Sequence, residues 1–218
     1  MPSDPFVLGF DTSAAHCAAA LLRGDRCVAG TCEAIPSGQA ERLFPILEAV
    51  LAAGGAGWRD LALIGVGTGP GNFTGLRVGV AAARGLALGL GIPAIGVPTP
   101  EARALGLPRP VAVVEPAGRG RIHLAPDGGT PELSDPETAA GRIGAMPLTG
   151  DAAEAVAAQS GGPVLAPAMP LAEAVARLAA ARAEAAGRQG ARLARPAPHY
   201  LRPPDAAPPA EAPPPLLP

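Results

Sequence analysis

The stretch VGTGPGNFTGLRVG, residues 66–79, decides how the chain is read: its loop, residues 67–75, holds four glycines, a proline and two threonines. An apolar run, LALIGVG, precedes it and reads as a buried strand. An apolar helix is expected to follow over about residues 74–90. Thr74 is placed to cap that helix, and the glycines before it permit the positive dihedral angles of a tight strand-to-helix turn. Free amides at such a helix start attract phosphate, yet any compact strand-to-helix junction uses the same residues, so both readings stand. Within the helix, Gly75, Gly79, Ala83 and Ala87 recur every four residues and make one face a stripe of small side chains. Such a stripe lets another helix lie close, whether it belongs to a neighbouring protein or to the chain itself.

Upstream, FVLGF (6–10), CAAALL (17–22) and CVAGTC (27–32) are short apolar runs separated by polar turns and predict an antiparallel meander. From 39 to 53 the residues Leu43, Phe44, Leu47, Val50 and Leu51 recur at helical spacing, with Gly54 and Gly55 ending the segment. Pro45 lies inside this helix and is expected to kink it or to confine regular hydrogen bonding to its C-terminal part, because proline removes an amide donor and clashes with the preceding turn. A strand is expected at 93–97. Two strands joined through a helix must lie parallel with a right-handed crossover, so the sheet is mixed.

Beyond residue 99 a smaller lobe is expected: a short helix at 100–105, a strand at 111–115 with a hairpin partner at 121–124, and strand ends at 147–151 and 163–167. A strong helix follows at 171–187, closed by Gly187. The organisation read is an N-terminal lobe at 1–99, a C-terminal lobe at 100–202 and a proline-rich tail at 203–218.

Composition narrows the chemistry. The chain has 218 residues, 48% of them hydrophobic but only 3% aromatic, so the core must pack through Ala, Val, Leu and Gly. All 17 basic residues are Arg, which excludes a Schiff-base lysine and the lysine-bearing phosphate loop. Cys17, Cys27 and Cys32 lack CxxC spacing, and His16, His123 and His199 form no HxxxH or HExxH pair, so no metal site is expected. A net charge of −2 gives no overall basic field, and a nucleic acid would have to be held mainly by a partner. No leader pattern stands at the N-terminus, and Arg77 and Arg84 interrupt the apolar helix, so a cytoplasmic chain with no membrane role is expected. FDTS places Asp11, Thr12 and Ser13 at the end of the first strand, either facing a ligand or forming an Asx or Ser turn.

Taken together, LGFDTS (8–13), GTGPGNFTGLRVG (67–79) and PHYLR (198–202) closely resemble the TsaB (YeaZ) family. Asn72 stands where that family commonly has serine. The resemblance implies an α/β fold of the actin-like ATPase (ASKHA, ribonuclease-H-like) type, two lobes with mixed sheets flanked by helices. It implies a non-catalytic subunit that pairs with a TsaD-like catalytic subunit. TsaC-like and TsaE-like proteins would complete a pathway that threonylcarbamoylates the adenosine beside the anticodon of tRNA, which this chain would meet only indirectly. ATP and metal would belong to the partner, and this chain would hold no cofactor of its own. The resemblance puts the pairing surface on the first two helices, here Leu43, Phe44, Leu47, Val50, Gly75, Leu76, Gly79, Val80, Ala83 and Ala87, with a homodimer possible when the partner is absent. Asp11, Thr12 and Ser13 match a nucleotide site that is generally degenerate in the family. Around EPAGRGRIHL (115–124) the chain departs from the family hairpin, keeping Arg119 and Gly120 and placing His123 near the tyrosine position. An autonomous ATP-binding or peptidase-like enzyme of the same superfamily is the rival expectation.

Overall fold

A computed structural model describes residues 4–201; the proline-rich tail and Arg202 lie outside the described residues. The meander forms as expected, with β1 (Phe6–Asp11), β2 (His16–Arg23) and β3 (Arg26–Ala34) in antiparallel register, Phe10 opposite Ala19 and Ala19 opposite Thr31. Then β4 (Leu61–Gly67) and β5 (Ala94–Val97) add in parallel, giving the order β3-β2-β1-β4-β5. The crossovers are α1 (Gln39–Ala53) and α2 (Phe73–Leu90).

Strand alternation decides which side chain meets which helix. Leu8, Phe10, Ile64 and Val66 join Leu43, Leu47, Val50, Val80 and Ala83 of α1 and α2 in one core. Val7, Leu63, Ile95 and Val97 point the other way and meet α6 (Leu171–Gln189) through Ala174, Val175, Ala176 and Ala179. The scarcity of aromatics is met by close approach. A Cβ at Gly9 would collide with Ala172 and Ala176, and one at Gly65 with Ala179 and Val175.

The helix α6 therefore belongs to the first lobe, although its place in the chain suggested the second. Its alanine face fits the glycines of β1 and β4, and no glycine pair of that kind was read as its counterpart. It also ends later than Gly187, at Gly190 with φ 63°. Pro45 sits within α1, which is assigned as one helix over its full length.

The second lobe is a four-stranded sheet, order β8-β7-β6-β9, made of β6 (Ala112–Gly118), β7 (Arg121–Ala125), β8 (Glu132–Ser134) and β9 (Leu148–Thr149). Two short helices, α4 (Pro136–Ile143) and α5 (Ala153–Ser160), cover it around Val114, Leu124, Leu148 and Val156. β8, α4 and α5 were not anticipated, although Asp135 carries a capping signal and accepts from Thr138 N at 2.8 Å. The helix α3 (Thr99–Ala104) links the lobes.

Candidate functional site

The loop of residues 67–75 is built around the turn that follows β1. Asp11 is fully buried; its Oδ1 accepts from Ser13 N, Ser13 Oγ and His16 Nε2, each at 2.8 Å. Thr12 Oγ1 donates to Gly75 O at 2.7 Å, and Asn72 N donates to Ser13 O at 2.5 Å. The glycines of the stretch make this closeness possible. A Cβ at Gly67 would strike the Asp11 carboxylate, one at Gly71 the Ser13 carbonyl, one at Gly75 the Thr12 carbonyl, and one at Gly79 the Thr12 hydroxyl.

The amides of Asn72, Gly75 and Leu76 serve internal acceptors, so this part of the helix start holds the turn. The cap is Asn72, whose Oδ1 accepts from Gly75 N at 2.9 Å; Thr74, expected in that role, is the second residue of the helix and exposed. Asn72 does here what serine would do, since both are strong N-caps.

Of the residues expected to face a partner, Leu43, Leu47, Val50, Gly75, Leu76, Gly79, Val80 and Ala83 are buried within the chain. Phe44 keeps 44% of its surface exposed, and Ala87 is half-buried. The stripe Gly75, Gly79, Ala83 faces β1, β4 and the 11–13 turn because only small residues admit that approach. A second small-residue series on the same helix, Ala81, Gly85 and Gly89, faces outward beside Val78 and Leu88. Leu88 is 86% exposed, and a Cβ at Gly85 or Gly89 would meet nothing within 4 Å. This outer series has the same four-residue period as the inner one, and periodicity alone does not rank the two.

Between the lobes lies a cleft of about 500 Å³, walled by Ser13, His16 and Asn72 on one side and Pro116, His123 and Asp151 on the other. Burial opposes charge on Asp11, but the bonds from His16 and Ser13 outweigh it and hold the carboxyl below its ordinary range. Burial likewise opposes charge on His16, yet the Asp11 carboxylate raises its pKa above the usual value. Sequence reasoning missed this pairing, although only five residues separate Asp11 from His16 across the turn between β1 and β2. Nearby, Arg103 of α3 lies 2.7 Å from Glu115 Oε1, while its Nη2 donates to Glu115 Oε2 at 3.4 Å and to Asp151 at 2.6 Å. Burial, offset in part by Arg103, pushes the Glu115 carboxyl up to about 7. The trio ties the linking helix to the second lobe. Among the described residues no group of three His, Cys, Asp or Glu is placed to hold a metal ion. By length and composition α2 alone among the described helices could cross a membrane, but its inner face is committed to the first sheet.

Comparison with known proteins sharpens this picture. The family model for TsaD, tRNA N6-adenosine threonylcarbamoyltransferase, matches residues 37–143. The chain is 37% identical over 93 residues to the tRNA threonylcarbamoyladenosine biosynthesis protein TsaB of Escherichia coli, covering 43% of this chain and 40% of that one. The match thus spans about two-fifths of that relative's length. In three dimensions the chain is similar to a Pseudomonas aeruginosa protein described as having similarity to peptidase YeaZ, at 25% identity and a TM-score of 0.71. That likeness covers 91% of this chain and 100% of the other. An activator of 2-hydroxyisocaproyl-CoA dehydratase from Clostridium difficile, solved with ADPNP, shares the fold at 11% identity and a TM-score of 0.56, covering 87% and 99%. The two-lobed actin-like α/β architecture expected from the resemblance is the one observed.

Proposed function

Starting from the chain's homology to the TsaB/YeaZ family, we propose that it is a non-catalytic scaffold subunit that grips a TsaD-like catalytic partner for threonylcarbamoyladenosine formation in tRNA. The observation that carries the reading is the outward surface of α1 and α2: Leu88 and Phe44 exposed, Gly85 and Gly89 open, and the helices in contact side by side. An apolar, small-residue helix face without a covering element suits a second helix pair, where close approach gives dense packing. The surface comprises Phe44, Val78, Ala81, Gly85, Leu88 and Gly89, with Ala87 at its margin. The inner residues Leu43, Leu47, Val50, Gly75, Leu76, Gly79, Val80 and Ala83 shape it from beneath. In the same reading ATP and metal reside on the partner, TsaC-like and TsaE-like proteins serve the pathway, the site of action is the cytoplasm, and the same face supports a homodimer when the partner is missing. Asp11, Thr12 and Ser13 are the remnant of a nucleotide site whose hydrogen bonds have turned inward.

Paired substitution Phe44→Glu with Leu88→Glu tests the grip. Leu88 is open to solvent, whereas Phe44 is partly covered with its ring centre 6.4 Å from that of Trp58, so a stability loss of about 1 kcal/mol is expected, and pairing is measured well below the melting temperature. Affinity for a co-expressed TsaD-like subunit should fall at least about tenfold, equivalent to about 1.4 kcal/mol, because charge is introduced into a desolvated contact. Undiminished co-purification would defeat the reading.

A further inference from the structure

Charge is segregated on this chain in a way its net value conceals. Between Asp60 and Glu101 there is no acidic residue, and the only charged side chains of α2 are Arg77 and Arg84. Residues 190–201 carry Arg192 and Arg195 and again no acid. The fold lays these two segments side by side and antiparallel. Arg84 Nε donates to Pro196 O at 2.7 Å, and Arg77 Nε to the Tyr200 hydroxyl at 3.2 Å. His199 N donates to Thr68 O at 2.8 Å.

Between them runs a groove of about 530 Å³ in which Arg84, Arg192 and Arg195 stand over Leu88, Ile92 and Leu193; no carboxylate of the described residues lines it. None of the four arginines pairs with a carboxylate among the described residues, whereas Arg42, Arg103, Arg177 and Arg182 do. At the far end, Phe73 and the exposed Tyr200 bring their ring centres within 4.8 Å, with the Arg77 guanidinium 3.8 Å from the centre of Phe73.

We propose that this strip is a direct RNA-contact surface, holding the phosphodiester backbone along Arg77, Arg84, Arg195 and Arg192 and offering the Phe73–Tyr200 rings to an unstacked base. Guanidinium groups bind phosphate oxygens through paired N–H donors, and a base stacks on an aromatic face whatever its sequence. A row of cations without interspersed carboxylates is what phosphate neutralisation requires, and it can be local. Choosing RNA over another polyanion rests on the tRNA reading above and on the ring pair, which an acidic peptide would not need. The strip lies on the C-terminal-segment flank of α2, while α1 packs along the other side, and it meets the proposed partner surface at Leu88.

The test is fluorescence anisotropy of a labelled RNA stem-loop titrated with the purified full chain over a range of KCl. Binding is expected at about 10⁻⁵ M near physiological salt, with a log–log salt slope near −3, since four neutralised phosphates contribute about 0.7 each. Arg192→Gln with Arg195→Gln, both exposed, should weaken binding about tenfold and reduce the slope by about 1.4 while leaving the melting temperature unchanged. Arg84→Gln, on the other element, should act in the same direction. Unchanged RNA affinity in these variants, or equal or tighter binding of polyglutamate than of RNA, would overturn the proposal. Co-purification with the partner separates the two readings. RNA binding lost while pairing persists supports the strip, whereas pairing that survives Phe44→Glu alone, a position outside the groove, defeats the scaffold reading without touching the anisotropy result.

Discussion

The two faces of α2 are built from nearly the same residues and meet opposite surroundings. Inward, Gly75, Gly79 and Ala83 sit against the 11–13 turn and the first sheet so closely that an added methyl collides with backbone or hydroxyl oxygen at both glycines. Outward, Ala81, Gly85 and Gly89 repeat the period in open space. Smallness therefore has two meanings in one helix: inside it is a steric necessity, and outside it keeps a surface flat. A substitution that looks alike on paper should have opposite signs on the two sides.

The largest effect belongs to the inner face. Gly75→Ala drives a Cβ into the Thr12 carbonyl, and neither the helix nor the turn can move freely; a loss of about 3 kcal/mol is expected in urea unfolding. Stability close to that of the parent chain would mean the turn yields, and the distinction between the faces would collapse.

A smaller effect reports on what holds that turn in place. The pKa of His16 is raised above 6.5 in the folded chain, so its contribution is fully present below pH 6.5 and is lost as pH rises through the folded value. Asp11, held low, stays charged throughout that window and loses its contribution only as the solution becomes acidic. His16→Gln should cost about 1.5 kcal/mol at pH 6 and clearly less at pH 9, read from denaturation at the two values. The raised carboxyl of Glu115, near 7, works in the same direction, because charging it on the way up from pH 4.5 opposes burial. A penalty for His16→Gln that does not vary with pH would show that the pairing with Asp11 is not ionic.

The smallest change carries the reverse sign. Gly85→Ala, in open space within an ordinary helical turn, should stabilise the chain by about 0.5–1 kcal/mol through lower unfolded-state entropy, visible as a raised melting temperature. If it destabilises instead, something in the chain already covers the outer face.

Much of the first lobe was legible in advance because its signals are local. Alternating apolar runs set β1 to β3, the run LALIGVG matched β4 residue for residue, and α1 and α2 followed from helical spacing. The second lobe was harder to read: α4 and α5 are only eight residues each, α4 buries just Ala139, Ala140 and Ile143, and the alanine-rich α5 shows little apolar periodicity. The site divided in the same manner. Asp11, Thr12 and Ser13 stood out by their place after a strand, but the partners that engage them, His16 and Asn72 with Gly75, come from other elements. Arg103, Glu115 and Asp151 meet only through the linkage of the lobes.

By itself the sequence determined the mixed first sheet, the glycine-rich turn into α2, a core that must pack through small side chains, and the resemblance carried by three short motifs. Only the tertiary structure decided which face of α2 is buried, that α6 returns to the first lobe, and that four arginines from two separated segments share one groove. The reason is physical: periodicity and composition specify a residue's neighbours along one element, whereas burial and charge pairing depend on which distant element comes to lie across it.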